Sequence, residues 1–123
     1  METRKGFPAL SIRQPWAWAV ASGIKDVENR VWTTRYRGVV LIHAGLRVDP
    51  AGLEIMRRRR VKMPPTLTVG AIIGRATLID IVSDSRSRWA VEGQFHFVFE
   101  KARLTRPVLC KGQLGLFWPK EVR

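Results

Sequence analysis

Thiols and acidic side chains are what this sequence is short of. Its 123 residues hold one cysteine, Cys110, and two histidines, His43 and His96. A lone thiol forms no internal disulfide and no cysteine-based zinc site, so the chain reads as one from a reducing, cytoplasmic compartment. Two histidines with no carboxylate at ligand spacing make no metal motif, and no cofactor is implied; a divalent-metal requirement is left open. No apolar stretch approaches the ~20 residues of a membrane span, so no membrane partner is expected. Met1 to Gly6 leads into a short apolar piece and then Arg13, without the h-region of a signal peptide. G-x-S-x-G elbows and P-loops are absent, which removes the two commonest sequence signatures of hydrolases and NTPases.

Charge is lopsided. Lys+Arg is 22 against 10 Asp+Glu, a net charge of +12, and 16 of the cations are arginine. A basic excess on so short a chain points to a polyanion, nucleic acid before membrane, or to plain solubility and arginine-rich coding, which the preponderance of arginine also fits. Hydrophobic residues make up 46%, enough for a core and too many for a disordered basic tail. The length fits one domain, 1–123.

Periodicity supplies the elements. Ala9 to Arg13 is β-compatible, and Gln14-Pro15 opens a helix, because proline suits the first turn. Trp16, Ala19, Val20 and Gly23 fall at i, i+3, i+4 and i+7, with Gly23 as the stop. Val27 to Thr33 reads as extended. Gly38 to Ala44 is an apolar strand. Asp49-Pro50 is an N-cap and first-turn pair opening a helix to about Arg60. Thr68 to Val82 is a long strand with a bulge or bend at Gly74. Phe95, Phe97 and Phe99 alternate as a half-buried strand with His96 facing solvent. Two short strands follow at Leu104 to Leu109 and Gly115 to Trp118. About six strands without βαβ alternation predict an α+β, mainly β fold: a small barrel with two or three peripheral helices.

The chemistry-bearing residues each have two readings. Lys25, on the turn after the helix stop, holds a phosphate as a point charge, accepts a proton from a water or ribose hydroxyl, or is simply solvated. Glu28 and Arg30, two apart in an extended run, share a face. They form a structural ion pair, or Glu28 accepts a base amine or a proton. Bringing Lys25 to the same face requires a bend near Asp26. Trp16 is core or a stacking platform; Trp18 and Trp32 are stacking candidates. His43 is a satisfied core histidine or a phosphate-orienting group. Peptide N–H groups at Gln14 to Trp16 open a helix and can meet an anion. Arg35, Arg37, Arg47, Arg86 and Arg88 are loop-like and extend the basic surface. Arg57 to Arg60 spread around a helix end and are solvated or touch phosphates.

Gly23 to Arg30 fits G-x-K-x-x-E-x-R, preceded by Ser11-Ile12-Arg13-Gln14-Pro15-Trp16-Ala17 and followed by Tyr36-Arg37-Gly38 and His43-Ala44-Gly45. In that order and at that spacing, with Lys111 to Phe117 as a closing strand, the chain resembles the ASCH family of PUA-like β-barrels. The resemblance implies a cleft beside the first helix that binds RNA or a nucleotide. It also implies catalytic candidates Lys25, Glu28 and Arg30, nucleic-acid contacts at Arg13, Gln14, Trp16, Trp32, Arg35, Arg37 and His43, and a monomer or weak dimer. Some members are similar to ribonucleases acting on single-stranded RNA. Others resemble an amidohydrolase acting on N4-acetylcytidine. Those place a threonine nucleophile where this chain has Glu28, and a glutamate in a region comparable to Glu92. The carboxylate at 28 breaks that nucleophile role, so the leading expectation is RNA or nucleotide binding, either without turnover or with cleavage of single-stranded RNA, and the amidohydrolase is the alternative.

Overall fold

The computed structural model describes residues 6–120; the charged opening Met1–Lys5 lies outside them. Eight elements follow in order: β1 (Ala9–Gln14), α1 (Trp16–Ala21), β2 (Val27–Arg30), β3 (Gly38–Val48), α2 (Pro50–Arg58), β4 (Ala71–Val82), β5 (Phe95–Leu109) and β6 (Leu116–Phe117). The strands form one sheet in the order β2-β5-β4-β3-β1-β6. The β1–β3 pair is parallel and the other pairs are antiparallel. The sheet is a curled half-barrel with two helices, the mainly β class that the sequence predicts.

α1 lies against the sheet because its inward residues are small. Ala17, Ala19, Val20 and Ala21 are fully buried; Ala17, Val20 and Ala21 pack with Leu10, Ile42, Ile73 and Phe97, and Ala19 packs with Val27, Met56 and Trp89. Gly74 permits the approach: a Cβ there would sit 2.8 Å from the Ala21 Cβ and 2.5 Å from the Arg103 carbonyl. The ladder also shifts register between Ile72 and Gly74, as the glycine predicts. Gly23 ends α1 with φ +87, a conformation glycine adopts without a Cβ clash.

Asp49 caps α2 as expected, its side chain accepting from the Ala51 N–H at 3.1 Å. The sequence reading errs in two places. Phe95 to Leu109 is one strand, not two. At Lys101, φ +54, and the ladder steps from Thr77–Glu100 to Arg75–Arg103. The extra residue bends the strand without ending it. His96 is buried, not solvent-facing. The 83–94 connection covers it: the Ser85 N–H donates to Nδ1 at 3.1 Å and Nε2 donates to the Val91 carbonyl at 2.8 Å. Among the described residues no helix is long and apolar enough to cross a membrane.

Candidate functional site

After Gly23 the chain turns back on α1, the Lys25 N–H bonding the Ala19 carbonyl at 2.9 Å, while the Asp26 carbonyl accepts from Phe99 N–H on β5. That turn is the bend which joint action of Lys25 and Glu28 requires. It swings the Lys25 side chain onto the face from which Glu28 and Arg30 project along β2. The ammonium lies 2.8 Å from Glu28 Oε1, and an Arg30 guanidinium nitrogen lies 3.1 Å from Glu28 Oε2. The Lys25, Glu28 and Arg30 side chains are 5%, 9% and 22% exposed. One carboxylate therefore holds two cations, one on each oxygen.

Arg30 reaches further. The same nitrogen donates to the Ser11 carbonyl on β1 at 2.9 Å. β6 pairs β1 only at Ala9 and Leu10, so Arg30 ties the β2 edge of the curled sheet to the β1 edge beyond that point. Its Nε–H is buried without a hydrogen-bond partner.

The triad lines a cavity of about 530 Å³. Arg13, Arg59 and Arg88 also line it. Among the described residues none of the three is within ion-pair distance of a carboxylate. Five cations thus surround a single carboxylate. The apolar walls include Trp16, Trp32 and Trp89. Trp16 is locked: its indole N–H donates to Asp49 Oδ2 at 2.9 Å, and it presses on Gly52, where a Cβ would lie 2.9 Å from the ring. The Lys25 ammonium stands 5.2 Å from the Trp16 ring centroid. The indole hydrogen bond, with help from the Gly52 and Ala51 amides and the Arg13 charge, holds the Asp49 carboxyl below its ordinary pKa against the opposing effect of burial. Trp32 packs edge-on against Phe97 at 5.2 Å.

Several wall residues escape sequence reasoning. Trp89 is buried, with the Arg59 and Arg88 guanidiniums 4.5 and 4.7 Å from its ring centroid. Asn29 staples the opposite wall: its Nδ2 donates to the Trp89 carbonyl at 2.9 Å and its Oδ1 accepts from the Val91 N–H at 2.8 Å. Gln94 lines the cavity as well. Trp89 and Gln94 come from a polar connection with no periodicity. The one available signal was Asn29 inside the motif.

Other sequence candidates lie elsewhere. Gln14 is buried with both amide ends in use, Nε2 to the Thr68 carbonyl and Oε1 from the Trp18 N–H at 2.8 and 2.9 Å. It caps α1 from inside and is not on the cavity wall. Trp18 packs into the core. Arg35 and Arg37 are exposed on the 31–37 connection, where Arg37 bonds the Thr34 and Tyr36 carbonyls at 2.9 Å. Arg57 and Arg58 are turned to Glu54, leaving Arg59 as the member of the run that reaches the cavity. His43 is buried, Nδ1 on Ser11 Oγ at 2.9 Å and Nε2 on the Cys110 carbonyl at 2.6 Å. It lines a neighbouring cavity. Glu92 is exposed and outside the triad's cavity. Burial raises the Cys110 thiol pKa, which keeps it protonated and weakly nucleophilic. Among the described residues no group of three or more His, Cys, Asp or Glu is placed to hold a metal ion.

Fold and site together define a small half-barrel domain with a cation-rich, tryptophan-walled hollow between its sheet edges. The chain belongs to the ASCH domain family, which matches residues 10–107. It is similar to activating signal cointegrator 1 of Mus musculus, 31% identical over 121 residues that cover 89% of this chain and 20% of that protein. It is also similar to the Homo sapiens protein of the same name, 32% identical over 96 residues that cover 69% of this chain and 16% of that protein. The chain spans a fifth or less of the length of these curated relatives.

Proposed function

We propose that this is an RNA-binding domain whose cavity takes a nucleobase with its adjoining phosphate. The observation that carries the reading is the charge arrangement: five cations about one carboxylate, in a hollow walled by indoles. Membership of the ASCH family supports it independently. The volume of about 530 Å³ falls in the ~300–1,000 Å³ range of small-molecule sites. Arg13, Arg59 and Arg88, which have no carboxylate within ion-pair distance among the described residues, supply charge for phosphate, and Trp32 offers a ring for a base.

Binding is favoured over cleavage because Glu28 is engaged on both oxygens and the Lys25 ammonium is committed to it. The carboxylate then acts as a clamp that positions two cations, rather than as a base aimed at a ribose hydroxyl. The test is fluorescence anisotropy with labelled single-stranded RNA across a salt series, with the same RNA run on a denaturing gel. Three engaged phosphates give a log–log salt slope of about −2. Trp32→Ala weakens binding by about 1–3 kcal/mol, and the RNA stays intact. Salt-insensitive or undetectable binding overturns the reading; fragments that disappear in Lys25→Ala replace binding with ribonuclease activity.

A further inference from the structure

The triad's cavity adjoins a second, larger one of about 1,280 Å³: Ser11, Arg30 and Trp32 line both. We propose that the second cavity is a continuation site for the same single-stranded polynucleotide, so that the ligand is an oligonucleotide spanning both hollows rather than a free nucleotide. This inference rests on the RNA-binding reading and names its substrate class.

The second cavity has a built floor. His43 is fixed through both ring nitrogens, to Ser11 Oγ and to the Cys110 carbonyl. The 110–115 segment is pressed onto that floor: a Cβ on Gly112 would lie 2.8 Å from both His43 Cε1 and Ser11 Oγ. Its charges have one sign. Arg30, Arg47 and Lys111 line it with no Asp or Glu among the lining residues. Among the described residues neither Arg47 nor Lys111 has a carboxylate within ion-pair distance. Its apolar side chains are bare: Leu46, Leu109 and Leu114 are 80%, 85% and 98% exposed.

A hollow of this size exceeds the ~300–1,000 Å³ that holds one drug-sized molecule. A chain whose phosphates repeat at every unit, with flat apolar faces between, matches cations interleaved with aliphatic surface. Trp32, shared by both hollows, stands where two successive bases would pass. An acidic peptide matches the charge but not the continuity with the first cavity.

The test compares the four nucleoside 5′-monophosphates, by calorimetry, with a random-sequence labelled RNA hexamer, by anisotropy. It uses wild type and Arg47→Ala/Lys111→Ala. Both substituted residues are exposed, and circular dichroism checks that the fold is kept. The hexamer is expected to bind at least tenfold tighter than the best mononucleotide. The double variant is expected to lose about tenfold for the hexamer, with a salt slope shallower by about 1.4, and to leave mononucleotide affinity unchanged. A hexamer no tighter than the mononucleotide, or one indifferent to the double variant, overturns the continuation site while the first-cavity reading stands. If wild type binds neither ligand, the RNA-binding reading itself falls. A poly-glutamate peptide that matches the hexamer's affinity and displaces it reassigns the second cavity to an acidic protein.

Discussion

Replacing Glu28 by glutamine is the sharpest perturbation of the site. The amide is isosteric, so packing is preserved while the negative charge goes. Lys25 and Arg30 then face each other across a neutral group, both held where the carboxylate had placed them at 2.8 and 3.1 Å. The amide keeps one acceptor oxygen, so one charge-assisted hydrogen bond survives to a neutral acceptor and the other is lost to a donor–donor contact, each such bond being worth about 1.5–3 kcal/mol. The two cations, no longer bridged by a negative charge, also repel each other. The Lys25 and Glu28 side chains are at most 9% exposed, so solvent screens little of this. Arg30, more open, relaxes part of it. Breaking a buried pair by removing one partner costs about 3–5 kcal/mol, and we expect Glu28→Gln to fall in that range. For a chain of this size the loss lowers Tm by about 10–20 °C, read by calorimetry and by urea unfolding. Added RNA should return a larger increment of Tm to Glu28→Gln than to wild type, because a phosphate can enter between the stranded cations. A Tm change below about 3 °C, under ~1 kcal/mol, would refute the claim that the carboxylate is what holds these charges together.

Three further outcomes are expected. Gly52→Ala places a methyl 2.9 Å from the Trp16 ring and from the Pro15 Cδ; it should cost about 1–3 kcal/mol by overpacking and shift tryptophan emission as Trp16 moves. Asp49, held below its ordinary pKa chiefly by the Trp16 indole N–H, contributes stability that is present above the unfolded carboxyl value of about 4 and lost as pH falls through the lower folded value. Urea midpoints measured between pH 6 and pH 2.5 should therefore show a smaller acid-side decline in Asp49→Asn than in wild type. Cys110, its thiol pKa raised by burial, should react with a disulfide reagent at pH 7.5 several-fold more slowly in the folded protein than in urea.

Local signals carried most of the architecture. The Asp49-Pro50 cap, the Gly23 stop and the Gly74 register shift follow from backbone chemistry that a few residues decide, and all three are where the sequence puts them. The motif brought Lys25, Glu28 and Arg30 into one place because a two-residue period and one turn are short-range facts. Long-range packing was not legible. His96 alternates with phenylalanines and therefore reads as facing water, yet the 83–94 connection folds over it. Gln14 reads as a helix-start group open to an anion, yet its amide is consumed by Trp18 and Thr68, the latter 54 residues away. Arg59 and Arg88 look like surface charge in a run and a loop, and only the fold brings both over the Trp89 ring.

The arrangement around Arg30 ties the half-barrel's incompleteness to its site. β6 is two residues long and leaves the Ser11 carbonyl of β1 to be met by a side chain rather than a strand. Arg30 meets it from the opposite edge of the sheet, and the geometry that lets one nitrogen serve both Ser11 and Glu28 leaves Nε–H buried and unpaired. An unsatisfied buried donor costs about 1–3 kcal/mol, and such costs persist where the surroundings over-determine the group. Here they do: the Glu28 clamp and the Ser11 carbonyl both fix the guanidinium at the junction of the two cavities. A strand pairing that closed the barrel would satisfy the backbone and fill the hollow. The open seam, bridged by one arginine, keeps the fold joined and leaves room for a ligand between the sheet edges.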